Sequence, residues 1–321
     1  MDALSDVLKS IHLEGAVYLN VEFSEPWCVQ ARFGMPCIQD KLAIAEHVMF
    51  FHYVAEGRAK LRLQKGGEVI EAKAGDLVLF AQDESHIMGS DLQLAPFDAG
   101  RIEGTDATDT DFIHVRHGGG GALTRFVCGY VACGRSVLRP LRDSLPPMVR
   151  ISMGDGPAGN LVRELLRMGV RESSMERPGS ASTLAKLTEL MFVEALRRHV
   201  ESLPSGGKGW FAGVRDPQVG RALSLMHANP EKSWTVDSLA RACAISRSAL
   251  AERFAALVGE TPMKYLTRWR LALAARSLRS SRETVARIAD RSGYESEAAF
   301  NRAFKREFGV PPASWRRSAP R

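Results

Sequence analysis

The chain lacks the long apolar segments and dense cysteines that mark membrane and secreted proteins. None of its apolar runs reaches the roughly eighteen residues that a membrane-spanning helix requires. Residues 1–15 contain no basic stretch followed by an apolar run, so no signal peptide is predicted. Five cysteines, an odd number in 321 residues, do not indicate a disulfide framework. We therefore expect a cytoplasmic protein with no membrane partner.

Patterns typical of enzymes are also missing. No pair of carboxylates and no nucleophile spaced from a base stands out along the chain. We therefore predict no catalytic residues and a protein that is not an enzyme.

Charge is distributed unevenly between the two ends of the chain. Residues 216–321 contain 19 Lys and Arg against 10 Asp and Glu, whereas the whole chain contains 43 against 37. The remainder is thus slightly acidic. A basic C-terminal third joined to a mildly acidic partner is typical of a polyanion-binding domain attached to a sensor. A solvated basic surface would give the same balance, so the charge alone does not decide between them.

Short runs of β-forming residues fill the first 150 residues. They lie at 17–19, 21–23, 47–54, 59–63, 68–71 and 77–80, with glycines such as Gly57 and Gly75 between them. Many short strands at close spacing favour a small barrel or sandwich. Two amphipathic helices follow within residues 157–203, and the second carries the longer apolar stripe. This second helix either covers the barrel core or forms the seam of a dimer.

Helix signals dominate the last hundred residues. Asp216 and Thr235 are suited to cap helices, and Ser246 caps another after the turn at Ala244 and Ile245. Two helices joined by such a short turn form a helix-turn-helix. The pattern of residues 236–254 recurs at residues 285–304, and residues 262–280 are predicted to form one long helix between the two copies.

The residues of this segment resemble the AraC/XylS-family DNA-binding domain. The spacer helix carries Arg270, Leu271, Ala274 and Leu278, the second unit carries Ile288, Ala289, Gly293, Tyr294, Phe300 and Phe304, and Phe308, Gly309, Pro311 and Pro312 close the match. The resemblance implies that the helices after each turn read double-stranded DNA. Its expected base contacts are Arg247, Ser248, Ala251 and Glu252 in the first helix and Glu297, Ala298, Asn301 and Arg302 in the second. Many family members have Arg where Glu252 stands, and this chain has Arg253 one place later, so Arg253 is a further expected DNA contact.

Other basic residues of the same domain are expected to contact phosphates, which position a protein on DNA without specifying sequence. These residues are Lys305, Arg306, Arg268 and Arg279. Each of them could instead be solvated or belong to an intramolecular ion pair.

Residues 117–147 contain four glycines at 118–121, the run 124–130, and prolines at 140, 146 and 147. With these features the N-terminal half resembles the cupin barrel and, over residues 117–147, the sensor domain of one branch of AraC-type regulators. Gly75 and His86 hold the ends of the second cupin motif, but the closely spaced histidine pair of the first motif is absent. We therefore predict an α+β protein: a cupin-like β-barrel with a helical hairpin in a sensor and dimerisation domain at 1–203, a linker at 204–214, and an all-α domain with two helix-turn-helix units at 215–321.

Three hypotheses describe what the sensor detects. Cupin topology could bring together His52, His86 and Cys128, with Cys28, or Cys37 or Cys133 in its place, as a fourth ligand for zinc. The alternative is that these side chains only fill the barrel. Oxidation of Cys128 or Cys28 could be the switch, or an organic small molecule could bind in the barrel.

The leading interpretation is a sequence-specific DNA-binding transcriptional regulator. We expect an activator controlled by its N-terminal domain, a homodimer, and RNA polymerase as a partner. The alternatives are a cupin-type enzyme fused to a DNA-binding module and a nonspecific architectural DNA binder.

Overall fold

The computed structural model describes residues 2–10, 14–31, 47–82, 84–99, 113–133, 135–173, 177–204 and 206–317. The chain divides into two compact units. The first consists of Leu13–Cys133 and Leu145–Ser202, and the second of Met1–His12, Gly134–Ser144 and Leu203–Arg321. The predicted α+β class is confirmed, because the first unit is built on β-sheet and the second is helical.

Two sheets form the first unit. Their described strands are β1 (Glu14–Ser24), β2 (Cys28–Ala31), β3 (His47–Glu56), β4 (Arg58–Leu63), β5 (Ile70–Lys73), β6 (Asp76–Phe80), β7 (His86–Gly89), β8 (Phe97–Asp98), β9 (Ile113–Gly118), β10 (Leu123–Cys133) and β11 (Met148–Ser152). The larger sheet has the order β11-β6-β3-β10-β1-β9 and the smaller β5-β4-β7-β2-β8. Neighbours are antiparallel except β1 with β9 and β2 with β8.

Alternation along the strands gives the larger sheet two different faces. Phe50 and Val54 of β3 and Phe126 of β10 belong to one core cluster, which also contains Leu61 and Met88 of the smaller sheet. Side chains that alternate with these point to the opposite face. That opposite face is covered by two helices, α3 (Pro157–Ser173) and α4 (Ser180–Ser202).

Helix α4 covers the barrel, as one of the two sequence interpretations predicted. Leu184, Met191 and Leu196 are at most 3% exposed. These side chains are already packed, so they are not available to a partner chain in this conformation. Leu190 is 44% exposed and is the part of the predicted stripe that faces solvent.

The second unit is helical throughout its described residues. Its helices are α1 (Ala3–Ser10), α2 (Arg135–Arg142), α5 (Trp210–Arg215), α6 (Pro217–Ala228), α7 (Val236–Ala242), α8 (Arg247–Val258), α9 (Pro262–Ser280), α10 (Val285–Arg291), α11 (Glu297–Phe308) and α12 (Pro312–Arg317). Helix α9 has the bounds that the sequence predicted for the long spacer. Among the described helices none is long and apolar enough to cross a membrane.

The division into units differs from the predicted boundaries in two places. The predicted linker at 204–214 contains most of α5, because Trp210 and Phe211 are each 2% exposed and hold this segment in the helical unit. Helices α1 and α2, predicted to lie in the sensor domain, pack on α6 and α9. Helix α2 is therefore an insertion between strands β10 and β11 that belongs to the helical unit.

Candidate nucleic-acid interface and buried sensor cluster

The first helix-turn-helix consists of α7 and α8. Thr235 and Ser238 form a reciprocal capping box at the start of α7, and Ser246 Oγ accepts a hydrogen bond from the backbone N–H of Ala249 at 3.2 Å. These caps satisfy backbone donors that a helix start otherwise leaves unpaired. Leu250 and Phe254 of α8 are fully buried. The turn residue Ala244 has φ +57° and is exposed, so its small size serves the turn rather than a helix crossing.

The second helix-turn-helix, formed by α10 and α11, repeats this arrangement. Thr284 caps α10 and Ser296 caps α11, where Ser296 Oγ accepts from the N–H of Ala299 at 3.2 Å. Phe300 and Phe304 are fully buried. Gly293 occupies the turn with φ +74°. The structure therefore confirms two units of the same construction on either side of α9.

Most of the predicted base-reading side chains lie on the solvent side of α8 and α11. The exposed ones are Arg247, Ser248, Glu252, Glu297, Ala298 and Arg302, and the partly buried ones are Ala251 and Asn301. Lys305 and Arg306 are also exposed. In aligned positions the order of charge is reversed, because α8 has Arg first and Glu last whereas α11 has Glu first and Arg last.

Two predicted DNA contacts are engaged inside the protein. The Arg253 guanidinium donates to Asp216, with Nη2 and Oδ2 2.6 Å apart, while Asp216 also caps α6. Arg268 donates to Glu260 at 2.8 Å and is only 25% exposed. Arg253 therefore binds the start of α6 and Arg268 binds the turn before its own helix, and a phosphate would have to compete with these carboxylates.

Arg279, the last of the predicted phosphate contacts, stacks on an aromatic ring. Its guanidinium carbon lies 4.2 Å from the ring centroid of Trp315. This cation–π contact joins the end of α9 to α12.

Sequence reasoning missed a polar group beneath the first helix-turn-helix. The Trp210 Nε1–H donates to Tyr265 Oη at 2.9 Å, and His227 Nε2 lies 2.7 Å from the same oxygen. His227 also stacks on Trp269, with centroids 4.1 Å apart. Burial lowers the pKa of His227 to about 3, so this imidazole is neutral at pH 7. The only sequence signal was a histidine and a tyrosine within otherwise apolar helix faces.

The sequence placed Arg270 in the family match on the spacer helix, but it gave no sign that this residue binds the loop before α7. Its Nε donates to the Pro230 carbonyl at 2.5 Å, and its Nη2 donates to the Lys232 carbonyl at 2.8 Å. The guanidinium thereby satisfies two loop carbonyls from the spacer helix.

In the first unit, the structure brings His52, His86 and Cys128 together inside the barrel. His52 Nδ1 lies 2.8 Å from Cys128 Sγ, and His52 Nε2 lies 2.7 Å from His86 Nε2. Phe80 stacks on His86 with ring centroids 3.9 Å apart. The sequence therefore selected three residues that are neighbours in the structure.

Cys28 is not placed with these three residues. It pairs with Gly89 on β7, three residues from His86, which is about 10 Å along a strand. Trp27 and Val29 belong to the barrel core, and alternation points Cys28 to the other face of the smaller sheet. A fourth ligand from Cys28 does not fit this placement. Cys37 lies outside the described residues, and Cys133 is five residues beyond Cys128 on β10.

Burial keeps the three clustered groups neutral. It lowers the pKa of His52 to about 4, and it lowers the pKa of His86 well below the usual value. Burial raises the pKa of the Cys128 thiol. Each neutral imidazole carries one N–H, so the three side chains form a continuous hydrogen-bonded chain. In the described part of the chain, no three His, Cys, Asp or Glu side chains are arranged to hold a metal ion.

Taken together, a sheet-built unit and two capped helix-turn-helix pairs on one spacer helix define a cupin-containing DNA-binding regulator. A cupin family matches residues 2–201, and a helix-turn-helix domain family matches residues 239–318. The chain belongs to the AraC-like transcription regulators, and it is a sequence-specific DNA-binding regulator of transcription.

Three relatives illustrate this membership. An AraC-like transcription regulator of Streptomyces lividans is 36% identical over 318 residues, which cover 99% of this chain and 98% of the relative. The transcriptional regulator AlkR of Acinetobacter baylyi is 32% identical over 329 residues, covering 99% and 100%. The RCS-specific transcriptional activator RclR of Escherichia coli is 28% identical over 319 residues, covering 98% and 97%.

Proposed function

We propose that this protein activates transcription in the cytoplasm by reading specific DNA with α8 and α11. The observation that carries the proposal is the repeated geometry of the two helices. In each helix, two large apolar side chains are buried in the core. The side chains expected to contact bases are exposed or partly exposed to solvent. Such a helix, held by its buried face, can place its outer side chains against base edges in the major groove.

Footprinting of the full-length chain on its own promoter region tests sequence-specific binding. We expect protection of two major-groove segments on one face of the duplex that survives excess competitor DNA. Uniform protection that competitor removes would instead favour a nonspecific architectural protein. A promoter–reporter fusion with purified RNA polymerase then measures activation, which the proposal predicts as increased transcript in the presence of the protein.

A homodimer is part of this proposal. The exposed Leu190 of α4, together with Leu161 and Met168 of α3, supplies apolar surface on the sheet-built unit. Sedimentation equilibrium of the full chain should give twice the monomer mass. Leu190→Glu should shift the equilibrium toward monomer, whereas a mass of one chain in the parent protein would contradict the dimer.

The cluster of His52, His86 and Cys128 supports a sensing role for the barrel. As a zinc site its geometry is poor, because the two nitrogens of His52 face its two neighbours from opposite sides of the ring. Zinc ligands must converge on one point, and structural sites use four of them. The hydrogen-bonded chain is therefore the arrangement that these residues support.

Metal analysis decides the zinc hypothesis. Purified protein without a tag should contain no stoichiometric zinc, because no closed four-ligand site is present among these residues. One equivalent of zinc, lost in both His52→Ala and Cys128→Ala, would establish the metal site instead.

Thiol oxidation is the second sensing hypothesis. The raised pKa of Cys128 keeps it a thiol, and the thiolate is the form that oxidants attack. Oxidation therefore requires the barrel to open or His52 to accept the proton. The test compares DNA binding by the parent and the Cys28→Ser, Cys128→Ser double variant with and without hypochlorite. An identical oxidant response in both proteins would count against these thiols.

The alternative of a cupin-type enzyme is tested on the full chain rather than on residues 1–203. A fragment of residues 1–203 would contain α1 and α2 without the helical unit to which they belong. Relatives over the full length are transcription regulators, which supports a protein without catalytic activity. Turnover of phenolic or sugar substrates by the full-length chain would revive the alternative.

A further inference from the structure

The two helix-turn-helix pairs approach each other closely beside the middle of α9. The loop before α7 reaches the turn between α10 and α11, where a Cβ added to Gly293 would lie only 3.0 Å from the Glu231 carbonyl oxygen. The two backbones pack this closely because Gly293 has no Cβ. The first and second pairs therefore meet at the loops that precede α7 and α11, and their relative position depends on this contact.

Arg270 of α9 lies at the same contact. Its guanidinium donates to the loop before α7, through Nε to the Pro230 carbonyl at 2.5 Å and through Nη2 to the Lys232 carbonyl at 2.8 Å. On its other side, the Cβ added to Gly293 would lie 3.1 Å from Arg270 Cζ and 3.1 Å from its Nη2. One side chain of the spacer helix thus contacts both helix-turn-helix pairs.

Burial and charge make this contact sensitive to the guanidinium. Arg270 is partly buried, which lowers its pKa, and Tyr294 of the second pair and Glu231 of the loop oppose that shift. Removing the guanidinium would leave two loop carbonyls without this donor, at a cost of about 1–3 kcal/mol for each one that stays buried. A lysine would not replace it, because an ammonium lacks the planar fork that holds two acceptors in fixed directions.

The relative position of α8 and α11 matters because DNA is a screw. One base pair corresponds to about 3.4 Å along the duplex and about 35° of rotation. A protein that holds both reading helices rigidly distinguishes duplexes whose two recognised sequences differ in separation by a single base pair. A protein in which one helix-turn-helix pair rocks on α9 tolerates that change.

We propose that Arg270 is the positioning residue that sets the separation and rotation of α8 relative to α11, and so the number of base pairs required between the two sequences that they read. In this role Arg270 contacts no base. The inference rests on the proposed reading of DNA by both helices, and it assigns their spacing preference to a residue outside both of them.

Binding of the full-length chain to a series of promoter duplexes tests the proposal. The duplexes keep both footprinted segments and remove or insert one or two base pairs between them. The parent should bind at least about tenfold more weakly after insertion of one base pair, which is the size of one lost bidentate base contact. Arg270→Gln should bind the original duplex more weakly than the parent does, and its preference over the inserted duplex should fall to about threefold or less.

Two further variants and a shortened site serve as controls. Arg270→Lys keeps the charge without the fork, so it should also lose spacing preference. Lys264→Gln removes a positive charge from an exposed position of the same helix and should keep the parent's preference. A duplex that carries only the sequence read by α11 should bind the parent and Arg270→Gln about equally.

Two results of this series would overturn the proposal. If Arg270→Gln weakens binding by the same factor at every spacing, the residue stabilises the fold and does not set the spacing. If the parent itself binds all spacings equally, it has no spacing preference for Arg270 to determine.

A distance measurement without DNA separates this proposal from the proposed function. Spin labels on genetically encoded ketone residues at positions 248 and 298, exposed on α8 and α11, leave the cysteines unchanged. Double electron–electron resonance should give a narrow distance distribution for the parent and for Lys264→Gln, and a broader or shifted one for both Arg270 variants. An unchanged distribution in those variants would contradict the positioning role even if DNA binding is specific. The expected broadening in a protein that binds no specific DNA would support the positioning role and contradict the proposed function.

Discussion

The two helix-turn-helix units share their backbone design but differ in what lies beneath them. In both, Thr and Ser cap the paired helices and two large apolar residues anchor the outer helix. The first unit rests against a polar group in which Tyr265 joins Trp210 and His227. Beneath the second lies an aromatic stack without histidine, with Phe308 and Trp315 at 4.9 Å between centroids and Arg279 on the Trp315 ring. The same fold thus tolerates a support that contains a histidine in one copy and a support built on aromatic rings in the other.

The difference matters because only the first support responds to protons. Residues 282–321 contain no histidine. His227 lies within hydrogen-bond distance of Tyr265 and stacks on both Tyr265 and Trp269, and these contacts hold the end of α6 against α9. Charging this buried ring would disrupt the first unit, whereas the aromatic stack of the second unit has nothing comparable to charge.

The largest expected effect is acid destabilisation through His227. Its folded pKa of about 3 lies below the ordinary value of 6.5, so its stabilising contribution is complete above pH 6.5 and declines as pH falls toward 3. Because of this one histidine, the free energy of unfolding should fall by about 1.4 kcal/mol for each pH unit below about 6.5, which makes about 3 kcal/mol at pH 4.5. Urea unfolding between pH 7.5 and 4.5 measures it. His227→Gln should reduce the slope by that amount, and an equal slope in the variant would show that other groups are responsible.

The next effect concerns the turn of the second unit. A Cβ on Gly293 would lie 3.0 Å from the Glu231 carbonyl oxygen and 3.1 Å from Arg270 Cζ, at φ +74°. Gly293→Ala should therefore destabilise the chain by about 2 kcal/mol, combining backbone strain with displacement of Arg270. Gly309→Ala is the control, because φ there is +79° but nothing lies within 4 Å. Gly309→Ala should lower the free energy of unfolding by about 1 kcal/mol. If the two variants lower the Tm equally, the close contacts at Gly293 contribute nothing.

The exposed faces of α8 and α11 should contribute unequally to DNA sequence specificity. Arg302 has no ion-pair partner within the described residues, whereas Arg247 lies 3.8 Å from Asp237. Arg302→Ala should reduce the preference for promoter over competitor DNA by about tenfold, the size of one bidentate base contact, and Arg247→Ala should reduce it less. Competition binding measures both ratios. If the two substitutions cost the same discrimination, the ranking of the two helices is wrong.

The smallest effect is expected at the turn of the first unit. Ala244 adopts φ +57°, a conformation that glycine enters without steric cost. Ala244→Gly should raise the free energy of unfolding by about 0.5 kcal/mol, because relief of strain exceeds the added freedom of the unfolded chain. Ala251→Gly, inside α8, should lower it by about 1 kcal/mol. A lower Tm for Ala244→Gly would show that the turn is not strained.

The sequence revealed what is encoded locally. The caps at Asp216 and Ser246 and the bounds of α9 follow from residues within one turn of each helix end, so they could be predicted. The register of distant strands could not. Without it, Cys28 could be grouped with His86, although strand alternation turns them to opposite faces. The grouping of His52 with Cys128 succeeded because cupin topology itself pairs β3 with β10.

The ion pairs of the helical unit also could not be predicted from the sequence. Arg253 meets Asp216 across 37 positions, and nothing near Arg253 indicates that partner. Arg268 and Glu260 are eight positions apart, with the helix start between them. A family resemblance identifies a residue's place in a motif. Whether that side chain is free to contact DNA depends on its contacts within the fold.

The insertion of α2 means that the DNA-reading unit is not a contiguous piece of chain. The polypeptide passes between the two units four times, and Arg139 of α2 forms an ion pair with Glu307 of α11 at 2.5 Å. A fragment beginning at residue 203 would lack two helices that pack on α6 and α9. Helices α1 and α2 therefore complete the DNA-reading unit although they precede it in the chain. Cutting the chain near residue 203 removes part of the unit that the cut was meant to isolate.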